Sequence, residues 1–435
     1  MKIKIIFLIM FIITTISASI FAESKNFTLK YSVDYSLKHS PYLKYLEASS
    51  NLNKGDKLIA KSKLMPFAQL NMSYTKFQKS HAVVLGVEPK KLQFDDDKYF
   101  AALNFNYVLW DFKSRRYNFL SEKSAYKSSS ENFKREKEKF VYNVIELFLK
   151  NLNVDEDILA AKEMLKSVEA LFRNVENEVK TGRKPLVDKL KIKVILYKVK
   201  DDLSKLNAMK TELYYNLKQL LGINDYEINL IKPEDFLFKN NFNIKEEIVK
   251  KAYTTRADLK AVEENLKATE LKLKSLKNSY FPEISINSEI NQQAGDDKTF
   301  KSNSFLGLSL KMPLFDGGYR KGNIEKMKYR LISLTQLKIN KRFEIKKDIE
   351  SAVANYNSAI TRIENASASV ERAKEVLKIE RLKYSLGRST VNFLLEAEAN
   401  LLTAKSYYYK ALYDKILAYY NIKLSQGTLL PFETK

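Results

Sequence analysis

Two kinds of hydrophobic period alternate along this chain, and they do so twice. After Pro66 the pattern has period two: Ala68, Leu70, Met72 and Tyr74 face one way, and Gln69, Asn71, Ser73 and Thr75 the other. It resumes at Ala101, Leu103, Phe105, Tyr107 and Leu109, interleaved with Asn104 and Asn106. Past Pro282 it returns, with Ile284, Ile286 and Ile290 against Ser285, Asn287 and Glu289, then Leu306, Leu308, Leu310 and Met312 against Gly307, Ser309 and Lys311. Such alternation predicts strands with one apolar and one polar face, at about 66–78, 99–110, 282–292 and 304–314. Between and after them the spacing changes to three and four. Val168, Phe172, Val175 and Val179 form one such run; Ile349, Val353, Tyr356, Ile360 and Ile363 form another; and Val199, Leu203 and Leu206 lead into Leu213, Leu217 and Leu220. These runs predict long helices packed as antiparallel hairpins. A first helix is expected over about Asp34–Lys63, ended by Pro66, whose ring cannot continue a helical ladder. Two very long helices are expected from about Lys113 to Lys180 and Tyr319 to Leu386, each ~100 Å at 1.5 Å per residue.

The repetition extends to single residues. Pro66 and Pro282 are 216 residues apart, as are Pro41 and Ala257 in "SPYLKYLE" and "RADLKAVE". Asp111 in "VLWDFKSRRYN" and Asp316 in "PLFDGGYRKGN" are 205 apart, and so are Gly182 and Gly387, and Gly222 and Gly427. Two ungapped blocks therefore align, and the difference of 11 residues falls between the second proline and the aspartate. A unit of this size is an internal duplication and not a solenoid repeat. Each half reads helix, strand, loop, strand, very long helix, tight break, long helix. The fold class is mainly α with membrane-type β-strands. A first repeat over 23–222 and a second over 244–427 are joined by a connector at 223–243, with a tail at 428–435. Gly182 and Gly387 mark hairpin tips, and Ser389 or Thr390 is expected to N-cap the return helix.

Composition narrows the setting. "MKIKIIFLIMFIITTISASIFAES" has two lysines, an apolar run and small residues before Glu23, the pattern of a secretory signal over 1–22 with cleavage after Ala22. The chain holds no cysteine, which removes disulfides, thiolate metal sites and a lipid-anchoring cysteine. Beyond Ala22 no stretch is long and apolar enough for a transmembrane helix, so a membrane crossing would use strands. The strands are about ten residues long, with Tyr99, Phe100, Trp110, Tyr280, Phe281 and Phe315 near their ends, as in outer-membrane barrels. A small sheet packed on helices would show the same alternation. If the strands do span a membrane, four cannot close a barrel, so several chains must contribute: two would supply eight strands, and three would supply twelve.

The formal charge is +23, two less once Lys2 and Lys4 are gone. Export argues against nucleic acid, and the basic residues are spread along helices as a solvated surface. His39 and His81 are the only histidines and lie in different elements without partners at metal or triad spacing. "GGYRKGN" has Asn323 where a phosphate-binding loop needs lysine. Asp296 and Asp297 read as a solvated turn. No enzyme, metal or cofactor is expected.

Taken together, the duplicated strands, the long hairpins and "GLSLKMPLFDGGYRKGNIEKMK" (Gly307–Lys328) resemble the TolC-like outer-membrane efflux protein family. The resemblance covers about Tyr31 to Gly427, with a degenerate first-half signature in which Trp110 and Phe112 stand where the second half has Phe315 and Gly317. Pro313 sits where the strand leaves the ladder; Asp316, Gly317 and Gly318 form the turn into the helix. The resemblance implies a homotrimer in the outer membrane, with a twelve-stranded barrel continuous with a periplasmic helical tunnel. It implies an exit duct for a tripartite efflux pump or type I secretion system, docked to a periplasmic adaptor and an inner-membrane transporter. It also implies a gate at the tips, with Phe393 and Glu396 at the family's lumen-facing acidic positions. Asp188 matches an acid that links neighbouring hairpins through an arginine, whose position here is Ser389, one residue after Arg388. Gly182, Arg183, Gly387, Arg388 and Ser389 fall at the adaptor-contacting tips. Simpler readings stand beside these: Asp188 and Glu396 as complements of a helix N-terminus, Phe393 as core, and the whole chain as a coiled-coil adaptor without a pore.

Overall fold

The computed structural model describes residues 25–78, 82–85, 90–93, 95–233 and 246–432. The predicted signal over 1–22 and His81 lie outside the described residues, as do parts of the connector and the tail. In chain order the elements are β1 (Lys25–Phe27), α1 (Leu29–His39), α2 (Pro41–Ser62), β2 (Phe67–Lys76), β3 (Ala82–Leu85), β4 (Lys90–Gln93), β5 (Asp97–Trp110), α3 (Ser114–Lys180), α4 (Leu186–Leu221), β6 (Ile228–Leu230), α5 (Glu246–Thr255), α6 (Ala257–Asn278), β7 (Glu283–Ala294), β8 (Lys301–Lys311), α7 (Tyr319–Ser385) and α8 (Val391–Gln426).

The duplication is exact in the lengths of three helix pairs. α3 and α7 have 67 residues each, α4 and α8 have 36 each, and α2 and α6 have 22 each. The extra residues of the first half fall in the loop 77–96, which contains the β3–β4 hairpin; its counterpart is only 295–300.

Two sequence expectations need correction. The first helix is two helices, α1 and α2, because Pro41 supplies no amide hydrogen and Ser40 leaves the helical region at ψ 121°. The fourth strand runs over Lys301–Lys311 and not 304–314. Its register with β7 extends to Lys301 opposite Gln293, and Pro313 cannot donate to a ladder. Of the two N-cap candidates for α8, Thr390 holds the position, without a side-chain hydrogen bond.

The described residues form two compact units. One comprises the residues through Leu46, Arg135–Arg256 and everything from Phe343 on. Both hydrophobic clusters lie in it. The first gathers Phe140, Ile145, Phe148 and Leu152 of α3 with Leu217 and Leu221 of α4 and Ile416 and Tyr420 of α8. The second gathers Val168, Val175, Ile192, Val199, Leu377 and Leu394, which include the heptad positions read from the sequence. β1 and β6 pair in parallel beside the first cluster; three-residue strands of this kind left no period in the sequence.

The other unit comprises Glu47–Lys134 and Ala257–Arg342. Its sheet is antiparallel with order β2-β5-β7-β8, so consecutive repeats meet at β5–β7. Leu70, Met72, Leu306, Leu308 and Leu310 are between 63% and 76% exposed, an apolar face that nothing among the described residues covers. Beside the sheet, α3 and α6 run against each other on small residues. Ser114 and Ser275 exchange hydroxyl-to-carbonyl hydrogen bonds at 3.0 and 2.9 Å. Seven and fourteen residues further along, Ser121 donates to the Ala268 carbonyl and Ser128 to the Ala261 carbonyl, both at 2.7 Å. Serine against alanine lets the backbones approach, and the heptad spacing keeps the contact on one seam.

The C-termini of α4 and α8 are also duplicates. Gly222 and Gly427 take left-handed φ of +74° and +68°, and the next amide closes back on the Lys218 and Lys423 carbonyls at 3.0 and 2.9 Å. A Cβ on Gly427 would lie 2.9 Å from the Arg256 Cα, and one on Gly222 2.9 Å from Pro41 Cδ; at Gly387 it would meet nothing. Gly387→Ala is therefore expected to cost only the left-handed strain, ~1–2 kcal/mol, whereas Gly427→Ala costs clearly more because the neighbour is backbone. Thermal unfolding of the two variants followed by circular dichroism checks this; equal midpoints would contradict it.

Candidate functional site

Three sets of residues stand out: the two strand-to-helix turns, the two hairpin tips, and a buried carboxylate that ties three helices together.

At the second turn, β8 ends at Lys311 and the chain reaches α7 through Pro313–Gly318. Asp316 organises the turn. Its Oδ1 accepts from the Gly318 amide at 3.1 Å, and its Oδ2 from the amide and Nε of Arg320 at 3.2 and 2.5 Å. The Arg320 hydrogen bond, with help from these amides, holds the Asp316 carboxyl below the usual range. Arg320 spends its remaining donors on the ends of two other segments. Nη1 reaches the Ser279 carbonyl past α6 at 3.1 Å, and Nη2 the Pro313 carbonyl at 2.8 Å. Gly317 and Gly318 have φ of +62° and +90°, which explains their type.

The first turn repeats this arrangement donor for donor. Arg115 bonds Asp111 Oδ2 through its amide at 2.8 Å and its Nε at 2.9 Å, then the Lys63 and Val108 carbonyls at 2.6 and 2.7 Å. Lys63 and Ser279 are 216 residues apart, and Val108 and Pro313 are 205 apart, so both offsets found in the sequence meet in one side chain. Here Phe112 and Lys113 occupy the left-handed positions, at φ +53° and +68°, although neither is glycine. The Phe112 ring stacks on Phe281 at 4.7 Å, and the Phe112 carbonyl accepts from Asn278 Nδ2 at 2.6 Å. The sequence reading identified the aspartates and glycines and missed the two arginines. Their alignment four residues after each Asp was the available signal.

At the tips, Gly182 and Gly387 take φ of +72° and +70°, and the following arginine amides bond the Glu178 and Lys383 carbonyls at 2.8 Å. The side chains of Arg183 and Arg388 are exposed. Ser389, one residue before the N-cap of α8, donates to Glu380 Oε2 at 2.7 Å. Beneath the tip, Tyr384 is 7% exposed, and Lys184 Nζ sits 4.3 Å from its ring centroid. Burial, and then the charges of Asp188 and Glu178, push the Tyr384 phenol up to about 12. Asp188 lies in the first turn of α4, half-buried; the structure shows no Asp188–Arg388 pairing within the chain.

Phe393 and Glu396 are one helical turn apart on α8, and both are exposed. Phe393, at 57% exposure, does not join the chain's core. Glu396 borders an apolar groove of about 420 Å³ lined by Lys191, Val194 and Ile195 of α4 and Asn392, Leu395 and Ala399 of α8. Two residues on, Glu398 is 6% exposed. Its Oε1 accepts from Arg381 Nη2 at 2.6 Å and Nε at 3.2 Å on α7, and from Ser167 Oγ at 2.5 Å on α3; Arg381 Nη2 also reaches Ser167 Oγ at 2.8 Å. This bridge joins the first hairpin to the second. The sequence carried a sign of it, because Glu398 sits four residues after Leu394 on the buried stripe of α8.

An amphipathic sheet with an exposed apolar face, joined to two long helical hairpins, defines the fold. The comparisons agree. Residues 248–428 match the family model "Outer membrane efflux protein". Over 142 residues the chain is 26% identical to Outer membrane protein TolC of Salmonella enteritidis, covering 33% of this chain and 29% of that protein. The aligned stretch thus spans less than a third of that relative's length. The fold superposes on a membrane protein from Pseudomonas aeruginosa with a TM-score of 0.80 at 16% identity, covering 92% of this chain and 90% of that one. The Campylobacter jejuni CmeC outer membrane channel gives 0.80 at 17% identity over 92% and 85%. The chain is therefore similar to outer-membrane efflux proteins over residues 248–428, and shares the fold of outer-membrane channel structures over most of its length.

The Asp–Arg turns give a direct test. Arg320→Ala strands the Ser279 and Pro313 carbonyls together with Asp316, and hydrogen bonds to charged groups are the strong ones. The unfolding midpoint is expected to fall by about 5 °C or more. Arg320→Lys should recover only part of it, since an ammonium cannot span three acceptors in a plane. Circular dichroism melts in detergent check this, and a melt unchanged by Arg320→Ala would refute the assignment.

Proposed function

We propose that the chain forms the exit duct of a tripartite efflux pump or type I secretion system, passively conducting substrate handed over by an inner-membrane transporter. The observation that carries this reading is the four-stranded amphipathic sheet with two unpaired edges. In hydrocarbon every backbone amide and carbonyl must be bonded, so β2 and β8 each need a partner strand. One chain is too few for a barrel. Three copies, with β8 of one pairing β2 of the next, give twelve strands, and the homotrimer is the assembly adopted here. The apolar faces then meet lipid and the asparagine-rich faces line a lumen.

The hairpin tips form the periplasmic entrance in this reading. Phe393 and Glu396 project from α8 as the constriction. Three Glu396 carboxylates about a threefold axis repel one another and attract cations. Asp188 is left to pair with a neighbouring hairpin in the assembled entrance. Gly182, Arg183, Gly387, Arg388 and Ser389 offer the docking surface for a periplasmic adaptor. The Glu398–Arg381–Ser167 bridge ties the second hairpin to the first, and opening the entrance by moving one hairpin against the other must break it.

Planar-bilayer conductance of the detergent-purified mature protein tests the duct and its gate. Wild type is expected to show a small, long-lived conductance. Glu396→Ala should alter its size and its pH dependence. Glu398→Ala should raise it several-fold by freeing the hairpins, with Ser167→Ala as a milder variant of the same bridge. Conductance indifferent to Glu396 would remove that residue from the gate. No conductance from a folded oligomer would overturn the duct and favour a pore-less coiled-coil adaptor.

A further inference from the structure

On the polar face of the sheet the residues in register are mostly neutral. Gln69 lies opposite Asn104, Asn106 opposite Asn287, Asn291 opposite Asn303 and Ser285 opposite Ser309. They bond to one another along and across strands: Asn287 Nδ2 donates to Ser309 Oγ at 2.8 Å, and Ser285 and Ser309 share a hydrogen bond at 2.8 Å. Charged side chains on this face gather at the two ends. Lys98 and Lys301 stand at the loop end, and Glu283 lies opposite Lys311 at the helix end. Between those ends, among the described residues, one ionisable side chain remains. Glu289 lies at the middle of β7, in register with Asn104 of β5 and Phe305 of β8, and accepts a hydrogen bond from Asn291 Nδ2 at 2.8 Å through Oε1.

An ionisable group at mid-strand is costly in lipid and marks a functional position when it faces water. We infer that Glu289 is a selectivity-determining residue of the barrel, making its lumen cation-preferring. The inference rests on the duct reading. Twelve strands at ~4.8 Å spacing and ~40° tilt give a barrel about 24 Å across its backbone, which leaves the three carboxylates roughly 12 Å apart around the lumen. That separation is close to a Debye length of ~8–10 Å at 0.1–0.15 M salt. Their fields therefore overlap across the pore at low salt and are screened at ~1 M, where the Debye length is ~3 Å. The sign opposes the chain's overall +23, so a cation preference cannot come from net charge.

The test is the reversal potential of the purified oligomer in planar bilayers under an about tenfold KCl gradient at low salt, repeated at high salt. Wild type is expected to favour potassium over chloride. Glu289→Gln, with an unchanged circular dichroism melt, should cut the permeability ratio roughly twofold or more, and Glu289→Lys should turn the channel toward chloride. Both differences should fade at ~1 M salt. A reversal potential unchanged by Glu289→Gln, or one that moves only with Glu396→Gln, overturns the inference while leaving the duct intact. A folded oligomer without any conductance overturns the duct reading, and this inference falls with it.

Discussion

The organisation of this chain follows from one constraint: a backbone amide or carbonyl in hydrocarbon must find a partner. Strands β5 and β7 have neighbours on both sides, and β2 and β8 have one each. The apolar face is exposed, with Leu306 and Leu308 at 76% and 74%, so the sheet can be neither a soluble edge nor a closed barrel. Assembly with further copies satisfies both demands at once. The same constraint explains the duplication. Each half supplies one hairpin of strands, and the antiparallel β5–β7 pairing joins the halves into one sheet, the unit that the proposed assembly would repeat.

Strands must also be handed over to helices without stranding backbone groups, and each half does this with a single arginine. Arg115 and Arg320 each bond the turn aspartate, the carbonyl after a preceding helix and a carbonyl at the strand end. The guanidinium suits this because its donors are fixed in one plane. That geometry outlasts the local sequence. The second half uses glycines for its left-handed residues, and the first uses Phe112 and Lys113, with the Phe112 ring stacked on Phe281 and its carbonyl held by Asn278. Left-handed non-glycine backbone costs free energy, and here a hydrogen bond from Asn278 of α6 and the stacking on Phe281 hold it in place.

Much of this was legible because period and repetition reinforce each other. Single strands of ten residues are weak signals, but four at duplicated offsets set the sheet, and the offsets of 216 and 205 confined the length difference to the stretch between proline and aspartate. The heptad runs at Val168–Val179 and Ile349–Tyr356 gave the buried seams. What escaped was non-periodic or non-local. β1 and β6 are three residues each and pair across some 200 positions. The break at Ser40 was masked by continuous helical spacing on both sides. The serine ladder of α3 reads as surface polarity until Ala261 and Ala268 are seen opposite. Arg320 and Glu398 act through partners distant in sequence, which periodicity does not reveal.

Glu396 and Glu398 show why residue type alone does not assign a role. They are two positions apart on α8, so they point about 200° from each other around the helix. One is exposed beside an apolar groove and the other buried in a three-helix bridge. A buried carboxylate without its arginine would be strongly destabilising, so Glu398 is bound to a fixed arrangement of α3, α7 and α8. Glu396 carries no such obligation, which is what the proposed entrance role asks of it. A movement that exposes Glu398 to water would change the surroundings of Glu396 as well.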